Sequence, residues 1–464
     1  MMKILLVSPE SPVWNSRSHL HNGLGYLAGA LLHAGYPDVE IFDGAVETET
    51  LETKLEREHY DLVGISSPTP LIHNAWQAAQ VAKHHGATTI LGGPHLTLMP
   101  DESLVRAEVD FVARGEAEVT LVEFVQTLEA NGSGDKSVFA HIQGLSYRDA
   151  AGRIVHNMPR PLAMNLDAIP LPAYHLFKIE RYTNLQPLTD GLDRHARAYT
   201  IVTSRGCPYK CTYCSKPITG NTWRARSVES VLSEWKMLVE EYHATEIGVT
   251  DDIWNLDVKR AKELCRGLIA AGLNRVPWIT IHGMKVNHAD VELFRLMKQA
   301  GCKRVGFGVE SGDEQILKNS IRKSQTYEQV RAAFRNARAA GLETMGFFIY
   351  GMPGESEETM EKTTRLALEL DPDLANFMMA APYPGTELWN MLEHGGKIYA
   401  RDWSELAIHS DHAHFEIGGL DPRLVEKKWR EAYRRFYFRP KRLARRLTRA
   451  DTWRNLPSRV SDAV

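Results

Sequence analysis

The sequence predicts an α/β protein made of two successive parallel-sheet units and a basic helical tail, and three observations predict it. Short apolar runs alternate with amphipathic segments over residues 1–131, the alternation resumes at about residue 196 and repeats six times to residue 390, and Asp421 to Val464 holds 14 Lys and Arg against 5 Asp and Glu. The 464 residues exceed a single domain of roughly 100–200 residues. With 43% hydrophobic and 24% charged residues the chain can build real cores, which excludes a largely disordered protein. The net charge is −3, and the surplus of nine positive charges in the tail leaves −12 for the body. No nucleic-acid partner is expected on that balance. No run approaches the ~18 apolar residues of a membrane span, and Ile4-Leu5-Leu6-Val7 meets Pro9 and Pro12 too early for a secretory segment, so a soluble, cytoplasmic chain is expected.

In the first unit, strands are predicted at Lys3–Val7, Val39–Phe42, Leu62–Ile65, Thr89–Leu91 and Val109–Val112, with a helix from about Leu20 to Leu32 after the first. Each run ends in small or polar residues: Ser8, Asp43-Gly44, Ser66-Ser67, Gly92-Gly93 and Arg114-Gly115-Glu116. Five parallel strands in a Rossmann-like sheet place ligands beyond their carboxyl ends, where serine and glycine let a large ligand approach the backbone. Ser8, Ser66, Ser67, Gly92, Gly93, Arg114, Gly115 and Glu116 are therefore candidate contacts, although tight strand-to-helix turns use the same residues. The region lacks G-x-G-x-x-G, which disfavours a nicotinamide dinucleotide.

Residues 132–195 break into Gly, Ser and Pro punctuation with one hairpin near Asp149–Gly152, the signature of a linker. In the second unit strands are predicted at 199–203, 246–250, 277–282, 304–309, 345–350 and 375–380, with helices such as Val228–Tyr242 and Tyr327–Ala340 between them. Six β-α repeats fit a partial (β/α)6 barrel whose functional groups sit at the carboxyl strand ends; an open doubly wound sheet gives a similar pattern. Residues 391–464 form the C-terminal extension. In it Val425, Trp429, Ala432 and Phe436 recur at helical spacing among basic residues, Pro440 interrupts, and Leu443 and Leu447 resume. This helix either docks on the barrel or lies against an anionic membrane surface.

Three of the five cysteines, Cys207, Cys211 and Cys214, fall within eight residues directly after a predicted strand. Three thiolates are one short of the four that fill a 4Fe-4S cluster, so one iron is left open. A zinc site would need a fourth ligand, from His243 or from His412 and His414, at no finger spacing. Cys265 and Cys302 read as buried free thiols.

The C-x3-C-x2-C loop, with Tyr213 before its last cysteine, resembles the radical S-adenosylmethionine (SAM) enzymes. The resemblance implies a 4Fe-4S cluster on the three cysteines whose open iron chelates SAM, with cleavage to a 5′-deoxyadenosyl radical. It also implies SAM contacts from Glu310 and Ser311 in the fourth strand segment, and from Gly351, Pro353, Gly354 and Glu355 at the fifth strand end. Thr250-Asp251-Asp252 and Pro382–Glu387 match the second and sixth strand ends. Lys285 stands where related sequences often carry arginine, and His282 is either an acid–base group or a structural hydrogen-bonder.

An α/β unit ahead of such a barrel resembles the cobalamin-binding class of the family. That implies cobalamin above the barrel mouth, although D-x-H-x-x-G, whose histidine ligates cobalt, is absent; His95 is then a possible ligand or a turn residue. The resemblance further implies a small-molecule substrate, an electron donor such as flavodoxin or ferredoxin, and methyl transfer to an unactivated centre. Two alternatives are oxidative cyclisation of a tetrapyrrole or lipid, as in the anaerobic magnesium-protoporphyrin monomethyl ester cyclase, and a non-catalytic cobalamin or iron-sulfur sensor. No catalytic side chain is assigned.

Overall fold

A computed structural model describes residues 2–10, 18–407 and 410–440 of the chain. The first unit contains β1 (Ile4–Ser8), α1 (Asn22–His33), β2 (Val39–Asp43), α2 (Leu51–Arg57), β3 (Leu62–Ser66), α3 (Ile72–His84), β4 (Thr88–Gly92), α4 (Pro94–Leu98), α5 (Pro100–Leu104), β5 (Phe111–Ala113) and α6 (Glu118–Asn131). Its sheet runs β2-β1-β3-β4-β5, all parallel, and then continues. The hairpin expected within the linker, β6 (Leu145–Arg148) and β7 (Ile154–His156), adds two antiparallel strands beside β5 and makes seven. Alternation inside the hairpin marks two strands but carries no sign of the edge they join.

The rest of the linker is packed rather than loose. Tyr174, Phe177 and Tyr182 lie in one apolar core continuous from α1 into the second unit, and Gly29 lets the linker backbone at Leu171 cross α1 where a Cβ would strike it.

After the short α7 (Pro187–Asp190), the second unit holds β8 (Ala198–Ile201), a two-residue ribbon of β9 (Ser204–Arg205) with β10 (Arg224–Ala225), α8 (Val228–Glu240), β11 (Glu246–Val249), α9 (Val258–Ala270), β12 (Trp278–Thr280) and α10 (Val291–Gln299). It continues through β13 (Cys302–Glu310), α11 (Tyr327–Ala339), β14 (Glu343–Tyr350), α12 (Glu357–Leu370), β15 (Leu374–Met379) and α13 (Glu387–Gly395). The sheet order β15-β14-β13-β12-β11-β8 is strictly sequential and parallel. A doubly wound sheet reverses direction at a switch point, as the first unit does between β1 and β3, so the sequential order decides for the partial barrel. Cys265 in α9 and Cys302 in β13 are buried free thiols, as their spacing implied.

The extension is not helical throughout: a ribbon of β16 (Gly396–Ile398) and β17 (Phe415–Ile417) precedes α14 (Pro422–Tyr437), which ends before Pro440. Val425, Ala432 and Phe436 are buried against the barrel, so the apolar face of α14 is occupied by protein. Lys428 pairs with Glu357, and Arg435 with Glu361. Residues Leu443 and Leu447 lie outside the described residues.

Helix α14 also covers the exposed edge of β15 with side chains. Trp429 Nε1 donates to the Phe377 carbonyl at 2.7 Å, and the Tyr437 hydroxyl accepts from the Ala375 amide at 3.1 Å and donates to its carbonyl at 2.7 Å. Tyr437→Phe removes two backbone partners at once and is expected to lower stability by about 2 kcal/mol, read as a shift in denaturation midpoint. An unchanged midpoint would show the edge to be satisfied by other means.

Candidate active site

The cysteine loop leaves the carboxyl end of the first barrel strand and is gripped from the second. Asp251 is buried and accepts from the Thr203 amide, the Thr203 hydroxyl and the Ser204 hydroxyl, each at 2.6 Å. Asp252 accepts from the Gly206 amide at 2.9 Å and from Thr219 at 2.8 Å, tying both ends of the loop to one carboxylate. Gly206 has φ +82°, and a Cβ there would strike the Thr222 carbonyl, so the turn into Cys207 requires glycine. Lys216 Nζ folds back to the carbonyls of Cys207 at 2.7 Å and Tyr209 at 2.5 Å. On the far side Thr212 donates through its amide to Ile321 and through its hydroxyl to Ser320, and its carbonyl accepts from Leu388 of α13 at 2.9 Å. Burial raises the pKa of the Cys211 thiol and pushes that of Cys214 up to about 12, and the neighbouring cysteines of the loop add to both shifts.

At the end of β13 the backbone bulges, and Glu310 takes the left-handed φ of +67°. Its carboxylate meets Lys323 Nζ at 2.6 Å in a nearly buried ion pair. Gly308 makes room for that pair, since a Cβ at this position would collide with both charged groups. Burial and then the Glu310 carboxylate push the Tyr213 hydroxyl well above its ordinary pKa, which brings Tyr213, Glu310 and the cysteine loop into one neighbourhood. Ser311 faces elsewhere: its hydroxyl accepts from the Asp313 amide at 3.1 Å and meets Thr363 of α12. In the Gly351–Glu355 turn, Glu355 Oε2 accepts from the amides of Gly351 at 2.7 Å and Met352 at 3.0 Å. Burial pushes this carboxyl up to about 8. Gly351 at φ +85° lies against Val425 of α14; Gly354 also has positive φ, and Pro353 sits between them, half-buried.

Lys285 holds its ammonium 3.2 Å from the Tyr209 ring centre, and burial followed by the nearby Lys323 holds its pKa down to about 8. Tyr209 in turn meets His288 Nε2 at 2.5 Å. His282 is exposed to solvent, and desolvation by its surroundings lowers its pKa. His243 lies between α8 and β11, at the amino end of the strands, away from the cysteine loop, and His412 faces Asp411 and Glu426.

The carboxyl ends of the two sheets meet. Asn22 at the start of α1 accepts from Thr200 at 2.7 Å and donates to Thr250 at 3.0 Å. Glu116, beyond β5, bonds Arg205 at 3.2 Å and Arg224 at 2.8 Å, with Glu118 on Arg205 at 2.7 Å. Arg205 stands two residues before Cys207, so the first unit holds the root of the cysteine loop. Leu98 of α4 occupies the space a Cβ of Gly385 would fill, beyond β15. Among the other strand-end residues, the Ser8 carbonyl accepts from the Gly44 amide, and Arg114 donates to the Asn157 carbonyl at 2.5 Å. Gly93, at φ +99°, crosses the backbone of Ser67 and the hydroxyl of Ser66 closely, whereas Gly92 approaches the Ala113 carbonyl. Gly115 has φ +75° with open space where its Cβ would be.

The model of the radical SAM superfamily matches residues 201–367, and that of the B12 binding domain matches residues 17–125. An uncharacterized methyltransferase of Pyrococcus horikoshii is 33% identical over 95% of this chain and 94% of its own length. The cytidylyl-2-hydroxyethylphosphonate methyltransferase of Streptomyces wedmorensis is 30% identical over 83% of this chain and 80% of its own. The chain belongs to the cobalamin-binding radical SAM family. The fold agrees: a solved structure of the radical SAM methyltransferase TsrM from Kitasatospora setae, with cobalamin and a [4Fe-4S] cluster bound, superposes with a TM-score of 0.71 at 19% identity, covering 95% of this chain and 90% of that one.

As a radical SAM enzyme of this family, the chain has a 4Fe-4S cluster, SAM and cobalamin as its cofactors. Its residues fit them. Three free thiols line a loop that hydrogen bonds to Asp252 and Ser320 hold in place. A cuboidal cluster takes its thiolates at separate iron corners, which three free cysteines spaced along one loop can supply. His95 is fully buried with both ring nitrogens in contact with other side chains, so it is not free to ligate cobalt. Lys323 and Arg205 are the site residues that sequence reading missed. Arg205 could have been flagged by its place beside the cysteine motif, but Lys323 carries no local signal.

Proposed function

We propose that this chain is a cobalamin-dependent radical SAM methyltransferase that methylates an unactivated carbon or a phosphinate-like centre of a small molecule. The meeting of the two sheets' carboxyl ends carries the reading, because it sets the cysteine loop opposite the strand ends of the B12-binding domain. The relative that acts on a cytidylyl phosphonate supports the substrate class. When bound, the cluster supplies the electron that cleaves SAM, and cobalamin supplies a carrier for the methyl group.

The chain's own groups then have distinct tasks. Cys207, Cys211 and Cys214 hold three cluster corners, and Tyr213 packs behind them. Glu310, paired with Lys323, accepts from the SAM ammonium or a ribose hydroxyl, while the Gly351–Glu355 turn, with Pro353 and Gly354, shapes the adenine side. Ser311 acts through the α12 contact that fixes this strand end. On the first unit, Ser8, Ser66, Ser67, Gly92, Gly93, Arg114, Gly115 and Glu116 form the surface for the corrin, with Glu116 acting through Arg205. A flavodoxin- or ferredoxin-like donor supplies electrons.

Anaerobically reconstituted protein, reduced and given SAM with candidate phosphonates, is expected to form both S-adenosylhomocysteine, from the methyl-donating SAM, and 5′-deoxyadenosine, from the cleaved one. Deoxyadenosine without S-adenosylhomocysteine or methylated product would reject methyl transfer and favour radical oxidation or ring closure.

A further inference from the structure

The C-terminal extension reaches the first unit through an ordered line of side chains. Trp403 Nε1 donates to both oxygens of Glu102, at 2.8 and 3.0 Å. Glu102 Oε2 meets His95 Nε2 at 3.2 Å, and His95 Nδ1 meets the Thr69 hydroxyl at 3.3 Å. His95 has no solvent exposure, Thr69 is 5% exposed, and the His95 and Trp403 ring centres are 5.3 Å apart. Thr69 belongs to the turn that follows β3, directly after Ser66-Ser67, and the His95 amide also donates to the Ser67 carbonyl. At its other end Trp403 packs on Trp389 of α13, at 5.6 Å. The neighbouring residue of Trp389, Leu388, donates to Thr212 in the cysteine loop.

The chemistry of these groups fixes the direction of every bond. An indole N–H only donates, so both Glu102 oxygens act as acceptors, as an ionised carboxylate provides. A carboxylate at His95 Nε2 requires a proton there, which leaves Nδ1 of the neutral imidazole as an acceptor. The Thr69 hydroxyl must then point its hydrogen inward and turn lone pairs to anything else that meets it. A corrin is rimmed by carboxamides, whose N–H groups donate.

We propose that Trp403, Glu102 and His95 are positioning residues for cobalamin. They hold the Ser67–Thr69 turn in place, set Thr69 to accept from a corrin carboxamide, and tie that turn through α13 to the cysteine loop. The inference rests on the reading that cobalamin lies on the strand ends of the first unit. None of the three is a catalytic residue.

The test titrates hydroxocobalamin into the anaerobically reconstituted 464-residue chain and records its Kd, together with the electron paramagnetic resonance spectrum of the bound cob(II)alamin. Trp403→Phe keeps the ring contacts and removes the donor. Glu102→Leu removes the oxygen that Trp403 and His95 share, so nothing holds the imidazole proton at Nε2 or the Thr69 hydroxyl to one direction. Each variant is expected to weaken cobalamin by about tenfold and change the cob(II)alamin spectrum, with iron content and SAM affinity unaltered. If one variant fails to fold, as melting would reveal, the other decides. Wild type that binds cobalamin, with variants matching it in Kd and spectrum, overturns the relay alone. Wild type that binds no cobalamin overturns the underlying reading, and the relay with it.

Discussion

Cys211→Ala is expected to abolish iron and sulfide incorporation, the broad visible absorbance of the cluster and all SAM cleavage, while leaving the fold intact. The loop around Cys211 does not depend on the thiol for its shape: Asp252 binds the Gly206 amide, Lys216 caps two loop carbonyls, and Thr212 is fastened to Ser320, Ile321 and Leu388. Losing one thiolate leaves two of three corners held, and two cannot hold a cubane that is already one ligand short. Circular dichroism and melting should match wild type, with SAM cleavage at the level of iron-free protein. Retained cleavage would remove the cysteine triplet from the chemistry altogether.

The second large effect is on stability against pH, at Glu355. Its carboxyl is buried, and burial raises its pKa to about 8, although the Gly351 and Met352 amides pull the other way. Folded protein therefore keeps a proton that the unfolded chain releases above roughly pH 4.3, the ordinary glutamate value. Stability contributed by this group is fully present below that value, falls as pH rises, and levels off above about 8, with a slope near 1.4 kcal/mol per pH unit. Glu355→Gln keeps an oxygen for both amides and removes the titration. The variant should match wild type near pH 4–5 and exceed it by a few kcal/mol at pH 8, read as a widening gap in melting temperature. A gap independent of pH would mean that Glu355 is ionised in the folded state at neutral pH.

How far the sequence foretold this structure depends on the distance over which each feature is written. Among the described residues all eleven parallel strands lie where period and punctuation put them, because apolar runs ending in small or polar residues are local signals. The cysteine loop was legible for the same reason, with its ligands confined to eight residues. What was hidden is long-range. Glu116 and Arg205 are 89 residues apart, and Trp403 and Glu102 are 301 apart, so no window of sequence contains either pair. Glu310 was singled out as a lone carboxylate, yet its partner Lys323 lies beyond a π-helical turn at Ile316–Ser320 that interrupts ordinary spacing. The hairpin was foreseen as a hairpin, but its place beside β5 is set by pairing across sheets of sequence that local pattern does not record.

The aromatic row on α14 has a consequence for solubility. A terminal strand with bare amides and carbonyls is a template on which another chain can lay a strand of its own. Trp429, Tyr433 and Tyr437 fill those positions on β15 with side-chain groups that no intruding strand can extend. Chains cut short before Asp421 should accordingly self-associate through this rim, and light scattering would find them as growing particles while the uncut chain stays dispersed.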